Sequence, residues 1–287
     1  MQRAAKKTER PTEKGIKDVY RKWAPIYDRH MKDTGHIGAL EQLLNYLPHY
    51  LGRRGILLDI ACGTCTAVDY IMNRSAWTRN NYPKVIVAND FSPDMLSYAR
   101  RKLRMRVSDT LMATLNEMLS IARDTRYDGQ LRGIASRNAL IQNGLLPRVG
   151  FLSQDATNME ITIPIDAVLC TYGFHWFLDK PAVAENVARL LAPGKFFVSV
   201  EEWPIRVTPT EEMTELERTV LNGMTVIPLI ELYQMFESKG LKLVKLFESM
   251  IHPGFTCVTE LSVGQAEEIT FTNPREHSMF GAVFVKE

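Results

Sequence analysis

The sequence predicts an α/β protein built on a doubly wound, mostly parallel sheet. Short apolar runs rich in β-branched residues alternate along the chain with stretches of helical periodicity, which is typical of a parallel sheet covered by helices. The apolar runs are nearly continuous, as expected for strands that are buried on both faces. A length of 287 residues suits one large domain or two small ones. Seven runs are predicted strands: 56–60, 85–89, 149–152, 165–170, 195–200, 241–247 and 279–285.

Helices are predicted for most of the gaps between these strands, over 39–51, 94–103, 180–191 and 228–239. Two regions fall outside this alternation. Residues 1–35 form an N-terminal extension that becomes rich in aromatic residues, and residues 36–287 form the main domain. Within that domain, about 100–147 replaces a link of a few residues and is rich in Lys and Arg. We expect an inserted helical cap there.

Composition excludes several classes of protein. The formal net charge is +2, so no global field favours nucleic acid or an anionic membrane. No run of 18 apolar residues predicts a membrane span, and the N-terminus lacks the apolar segment of a secretory signal. Four cysteines, of which three fall in loop or strand patterns, suggest reduced thiols in a cytoplasmic protein. Cys62 and Cys65 lack a second pair of ligands, so no metal is expected.

The strongest functional signal is the segment LLDIACGTCT at 57–66. A buried strand ends in Asp59, a turn of small residues follows, and a helix begins at about Cys65. Small residues let a ligand approach the backbone, and the helix N-terminus offers free N–H donors. The dinucleotide fingerprint needs three glycines, whereas this turn has only Gly63. An acid at the turn would also repel a pyrophosphate, which disfavours a dehydrogenase and favours a ligand with positive charge.

Polar residues also end the next strands. Asp90 ends the second strand, where an acid can accept both hydroxyls of a ribose, and Asp155 ends the third, where it could accept from an adenine amino group. The fourth strand leads from Cys170 into TYGFHW. Because ligands of such sheets bind outside the carboxyl ends of the strands, we expect Asp59, Asp90 and Asp155 to converge on one crevice.

These motifs resemble those of the class I S-adenosylmethionine-dependent methyltransferases. LLDIACGTCT is similar to the family's glycine loop, NDFSPDML to the motif after its second strand, and ARLLAPGKFFV to the motif before its fifth. VYRKWAPIYD resembles the first helix of the ubiquinone/menaquinone-biosynthesis-like branch. The resemblance covers about 16–105 and 149–250, and it implies a seven-stranded sheet with an antiparallel last strand.

The resemblance also implies S-adenosyl-L-methionine as the cofactor and assigns its contacts. Asp59, Ala61 and Gly63 would line the methionine moiety, and Asp90 would hold the ribose. Tyr20 and Tyr27 would close over the cofactor as an N-terminal helical lid. The remaining contacts, at the adenine and at the strand ends beside it, fall on Phe91, Met95, Asp155, Ala156 and Cys170. Cys65 departs from the family's usual glycine, so its side chain must fit beside the cofactor.

Methyl transfer needs a base only if the nucleophile must lose a proton. His175 and Tyr172 follow the fourth strand and Glu201 follows the fifth, and these three are the catalytic candidates. His30 and His36 also lie near the lid, and we expect them on the surface. For each candidate a purely structural role is the competing interpretation.

Three functions remain open at this stage. The first is a methyltransferase acting on O, N or C of a small or medium-sized organic molecule. The second is an RNA or protein methyltransferase that docks through the basic cluster Arg100, Arg101, Lys102, Arg104 and Arg106. Nucleic acid is the less favoured partner, because no aromatic residues interleave with this cluster. The third is a non-methylating binder of S-adenosylmethionine, suggested by Cys65. The sequence leaves the oligomeric state and the acceptor open.

Overall fold

The computed structural model describes residues 12–52, 55–73, 83–103, 147–203, 228–251, 258–262 and 278–287. The predicted cap at about 100–147 lies almost entirely outside the described residues, as do Arg104 and Arg106. None of the helices in the described ranges is both long and apolar enough to cross a membrane.

The helices begin and end where local chemistry predicts. Thr12 accepts the Gly15 N–H at 3.1 Å and caps the first helix, and Asp179 caps the sixth by accepting the Ala182 N–H at 3.0 Å. The third helix ends before Pro48, which cannot continue it. The helices are α1 (Glu13–Trp23), α2 (Tyr27–Asp33), α3 (His36–Tyr46), α4 (Thr66–Asn73), α5 (described over 93–103), α6 (Lys180–Leu190) and α7 (Leu229–Glu237).

Within the described ranges, eight strands form a single sheet, in the order β3-β2-β1-β4-β5-β8-β6-β7. The first five pair in parallel, and β8 runs antiparallel to both β5 and β6. This confirms the doubly wound, mostly parallel fold. The strands are β1 (Ile56–Asp59), β2 (Val85–Asn89), β3 (Arg148–Leu152), β4 (Ile165–Thr171), β5 (Leu191–Trp203), β6 (Leu241–Met250), β7 (Val258–Leu261) and β8 (Ser278–Lys286).

The expected count of seven strands is wrong, because β7 adds an eighth. This strand pairs antiparallel with β6 at the edge of the sheet. Its residues are exposed or half-buried, so it lacks the continuous apolar run by which the other strands were predicted. In the sequence this strand therefore looks like part of the link between the last two long strands.

Two apolar layers cover the two faces of the sheet. One contains α3 and α4 and includes Leu43, Leu57 and Val198, and the other contains α6 and α7. The second layer is closed by edge-to-face contacts among aromatic rings, with Phe236 4.8 Å from both Phe174 and Phe197 between ring centroids. The strand order reverses between β1 and β4, and this is where a ligand crevice is expected.

Candidate functional site

A cavity of about 410 Å³ opens at the carboxyl ends of β1 to β4. The strand ends form its floor, α1 lies across it, and the chain from β4 into α6 forms one wall. The lining residues are Glu13, Ile16, Tyr20, Ile60, Ala61, Asp90, Phe91, Gln154, Asp155, Ala156, Thr157, Gly173, Trp176, Phe177, Leu178, Asp179 and Ala182. A cavity at the reversal of strand order is the usual ligand site of open α/β sheets.

The charged residues of this lining are all acidic. They are Glu13, Asp90, Asp155 and Asp179, and the described lining contains no Lys, Arg or His. An acidic wall repels phosphates and favours a ligand that is cationic or rich in hydroxyl groups.

Asp90 joins the loops that follow β1 and β2. Its Oδ2 accepts the Gly63 N–H at 2.7 Å, and its Oδ1 accepts the Ser92 N–H at 2.8 Å. Burial raises the pKa of Asp90 to about 6, and these two N–H donors limit the rise. A carboxylate has about four lone-pair sites. Asp90 can therefore hold the loops and still accept hydrogen bonds from a ligand in the cavity.

Asn89 ties the strand ends together beneath this cavity. Its Nδ2 donates to the carbonyl oxygens of Ile60 and Gln154, each at 3.1 Å, and its Oδ1 accepts the Gln154 N–H at 3.0 Å. The side chain is fully buried. It fixes the spacing of three strand ends, a role that sequence reasoning missed because a strand-end Asn also reads as an ordinary turn residue.

Asp59 is fully buried, and neither of its carboxylate oxygens accepts a hydrogen bond of good geometry within the described chain. Burial and the nearby Asp90 carboxylate raise the pKa of Asp59 to about 8, while the Ala61 N–H opposes the rise. The three acids were expected to converge on one crevice. Asp90 and Asp155 do line the cavity, whereas Asp59 does not.

The cavity brings together six of the predicted cofactor contacts: Tyr20, Ala61, Asp90, Phe91, Asp155 and Ala156. Tyr27 and Gly63 instead line a smaller neighbouring pocket, which shares Ala61 with the cavity. Met95 and Cys170 line neither, because both side chains are fully buried in the core. Phe91, rather than Met95, presents the apolar surface after β2.

Cys65 does not block the crevice. Its backbone has φ 61, the left-handed region that glycine would occupy at lower cost. The side chain is fully buried in the apolar layer against α4 and lines neither pocket. The departure from the family's glycine is therefore accommodated by backbone strain, not by lost cavity volume.

Helix α1 covers the cavity through aromatic and cation–π contacts. Tyr20 lies 4.9 Å from Trp176 between ring centroids, and the Lys17 ammonium sits 3.8 Å from the centre of the Phe91 ring. Ile16 and Val19 pack on the same tryptophan. These contacts place α1 where a lid would lie.

The two consecutive glutamates at the end of β5 each meet a histidine. Glu201 Oε2 lies 3.0 Å from His175 Nδ1, and Glu202 Oε2 lies 3.2 Å from His36 Nε2. Successive side chains of a strand point to opposite faces, so the two pairs form on the two faces of the sheet. His36 is buried and also contacts the Thr34 hydroxyl at 2.7 Å, so the expectation that it lies on the surface is wrong.

The three catalytic candidates differ in their surroundings. Glu201 Oε1 also accepts the Phe174 N–H at 3.2 Å, so the His175–Glu201 pair holds the turn between Gly173 and Trp176, which line the cavity. His175 and Glu201 themselves line a small adjacent void, beside Lys180. The Tyr172 hydroxyl is engaged by the His36 carbonyl oxygen at 3.1 Å and by Met279 Sδ at 3.0 Å. Burial raises the pKa of Tyr172 well above its usual range, which gives no support to a role as base.

Gly173 is a site residue that sequence reasoning missed. A Cβ at this position would lie 2.6 Å from Cys170 Sγ and 2.7 Å from the Ala61 Cβ. Its backbone, with φ −100 and ψ −33, is open to any residue. Glycine is therefore required here only because the backbone packs closely against the glycine loop. The sequence around Gly173 contains no pattern that would predict this contact.

We expect Gly173→Ala to lower the free energy of unfolding by ~1–3 kcal/mol, because the added methyl overpacks the contact between the cavity wall and the glycine loop. Thermal unfolding measures the loss. The matched control is Gly150→Ala, where a Cβ meets no atom within 4 Å. Adding Ala61→Gly should restore part of the stability of Gly173→Ala. Equal stability of the two single variants would contradict this account of the contact.

The fold and the cavity define an open α/β protein with a cavity at the reversal of strand order. No family model matches the sequence, and no curated protein matches it either. Solved structures do match. One is a S-adenosylmethionine-dependent methyltransferase of Thermotoga maritima, described as a possible histamine N-methyltransferase. It has 12% identity and a TM-score of 0.54, with 95% of this chain and 100% of that chain covered.

Two further structures give similar values. The N-methyltransferase NodS of Bradyrhizobium japonicum, solved with S-adenosyl-L-homocysteine, has 11% identity and a TM-score of 0.51, covering 95% of this chain and 98% of that one. A chain from the complex between the Haloferax volcanii Trm112 methyltransferase activator and a methyltransferase has 15% identity and a TM-score of 0.53. The match covers 93% of this chain and 96% of that one. The protein therefore has the fold of the S-adenosylmethionine-dependent methyltransferases.

Proposed function

We propose that the protein is an S-adenosylmethionine-dependent methyltransferase that acts on O, N or C of a small or medium-sized organic molecule. The observation that carries this proposal is the acid-lined cavity at the strand-order reversal, backed by the unpartnered Asp59 carboxyl. A buried carboxyl without partners is costly unless a cation or donor compensates it. A ligand that combines a nucleoside with positive charge fits both features.

The residues present fit this cofactor. Asp90 would accept from the ribose hydroxyls, while Phe91 and Ala156 would border the adenine and Asp155 its polar edge. Ala61 and Gly63 would lie along the methionine moiety, close to Asp59. The cofactor, when bound, supplies an electrophilic methyl group, so the protein has mainly to align the acceptor and exclude water. Tyr20 and Trp176, in contact over the cavity, are placed to do the latter.

We assign any base that the acceptor requires to His175, oriented by Glu201. The pair lies directly behind Trp176 and is held at 3.0 Å. Tyr172 is left out of this assignment because its hydroxyl is already engaged. The ubiquinone/menaquinone-like branch and a cytoplasmic location complete the proposal. The thiols of Cys62, Cys65 and Cys170 are free and buried, as suits a reducing compartment.

A nucleic-acid acceptor is less well supported than a small molecule. Three of the five basic residues counted toward a docking arm contact their own chain: the Arg100 guanidinium lies over Phe151, that of Arg101 over Tyr98, and Lys102 Nζ is 2.8 Å from Asp28 Oδ2. Groups held in this way are less available to phosphates. A non-methylating binder was suggested by Cys65. Because the Cys65 side chain lines neither pocket, it no longer favours that alternative.

The proposal is tested by binding and by turnover. Calorimetry should show binding of S-adenosylmethionine and S-adenosylhomocysteine, and methyl-labelled cofactor with a metabolite extract should give a labelled small molecule. Labelled RNA or protein instead would favour the docking-arm alternative. Binding without any turnover would favour the non-methylating one, and failure to bind either nucleoside would overturn the proposal.

A further inference from the structure

A carboxylate is already bound beside the glycine loop, and it belongs to the protein itself. Asp28 on α2 accepts hydrogen bonds from the Thr64 hydroxyl and, at 3.2 Å, from the Thr66 hydroxyl through Oδ1. Its Oδ2 accepts from Lys102 Nζ at 2.8 Å. Lys102 Nζ also reaches the two threonine oxygens, at 3.3 and 3.2 Å. The ammonium and the two hydroxyls therefore form a preassembled receptor for one carboxylate, which we call the Lys102 receptor.

The Lys102 receptor lies beside a smaller pocket that adjoins the cavity. Thr66 lines the smaller pocket together with Gly63 and Tyr27, and Ala61 lines both that pocket and the cavity. Burial raises the pKa of Tyr27, and the carboxylates of Asp28, Asp90, Glu202 and Asp59 raise it further, so Tyr27 lies near Asp28 as well as near the acids of the cavity. A ligand tail that leaves the cavity at Ala61 and passes Gly63 would therefore approach Thr66.

The cavity alone cannot satisfy a ligand that carries an α-carboxylate. Its described lining includes four acids and no basic side chain. An anionic group placed against that wall would meet like charge. Lys102 contacts the glycine loop through Thr64 and Thr66, and its side chain is only 17% exposed, which strengthens its interaction with an anion.

We propose that the Lys102 receptor binds the carboxylate of the cofactor's amino-acid tail, and that Asp28 occupies it as an internal stand-in when the site is unliganded. This inference rests on the proposed function. The exchange replaces one carboxylate by another, so the charge around Lys102 is unchanged. It also detaches Asp28, and with it α2, from the glycine loop. Cofactor binding is thereby coupled to the position of the N-terminal helices.

The test compares two nucleosides that differ in the amino-acid tail. S-adenosylhomocysteine carries the tail, and 5′-methylthioadenosine lacks it. We expect Lys102→Met to weaken S-adenosylhomocysteine binding by about tenfold or more, the effect of losing a charge-assisted hydrogen bond. The affinity for methylthioadenosine should stay within about twofold. Asp28→Ala should instead tighten S-adenosylhomocysteine several-fold, because it removes the competitor. Lys195→Met is the matched control, since it breaks a Lys–Asp pair of 2.9 Å with Asp166 at the opposite end of the sheet.

Each other outcome overturns the inference in a distinct way. If Lys102→Met weakened the binding of both nucleosides equally, the Lys102 receptor would only hold α2 against the glycine loop. Unchanged affinity would place the carboxylate elsewhere. Weakening by Asp28→Ala would show that Asp28 supports the ligand rather than competing with it. If wild-type protein binds neither nucleoside, the proposed function itself fails, and the inference fails with it.

Discussion

Replacing Asp90 with alanine is expected to weaken S-adenosylhomocysteine binding by at least about tenfold. The carboxylate fixes the Gly63 and Ser92 N–H groups at 2.7 and 2.8 Å, and it is the acid at the tip of β2 that faces the cavity. Its loss removes charge-assisted hydrogen bonds to the ligand and also frees the glycine loop. Either effect alone is worth about 1.5–3 kcal/mol, which is tenfold or more in affinity.

Calorimetric titration measures this loss, and Asp166→Asn controls for stability. Asp166 is also a strand carboxylate that accepts a backbone N–H, that of Ile56 at 2.9 Å, but it lies at the amino end of β4, away from the cavity. We expect Asp166→Asn to affect unfolding while leaving affinity within about twofold, since it removes no ligand contact. Unchanged affinity in Asp90→Ala would remove Asp90 from the ribose site.

The sheet was largely predictable because its strands are buried on both faces. Continuous apolar runs such as 85–89 gave the strand bounds that the structure shows. The eighth strand escaped prediction because Val258–Leu261 lies at an edge, where pairing comes from β6 rather than from the burial of its own side chains. Edge pairing is a property of the neighbouring strand, so a single sequence carries little trace of it.

The site was predictable where a residue's position on the chain decides its role, and not where packing decides it. Asp90 and Ala61 follow strands directly, so strand assignment placed them at the cavity. Met95 was expected there too, but the rotation of α5 buries it completely. Gly173 and His36 depend on contacts with residues far along the chain, namely the Ala61 Cβ and the Glu202 carboxylate. Such long-range contacts are fixed only when the elements pack.

Asp59→Asn is expected to stabilise the unliganded protein above pH 7. The folded-state pKa of Asp59 is raised to about 8 from 3.8, so the folded state holds a proton that the unfolded state releases. Stability from this group is therefore complete below about pH 4 and is lost as the pH rises toward 8. Asparagine is never ionised, so the variant should gain a few kcal/mol at pH 8 and show a flatter pH dependence. Asp90, with a pKa near 6, contributes in the same direction in both proteins, and its repulsion of the Asp59 carboxylate is part of what Asp59→Asn removes.

Ligand binding should reverse the state of Asp59. The α-ammonium group of the amino-acid tail, placed beside the buried carboxyl, stabilises its charged form, so binding at pH 7 should release close to one proton from wild type and far less from Asp59→Asn. Calorimetry in phosphate and in Tris, whose ionisation enthalpies differ, measures the number of protons released. Methylthioadenosine lacks this ammonium group, so it should release few protons from either protein. Equal proton release by wild type and Asp59→Asn on binding S-adenosylhomocysteine would show that Asp59 does not contact the ammonium group. The buried Asp59 carboxyl would then no longer support this choice of cofactor.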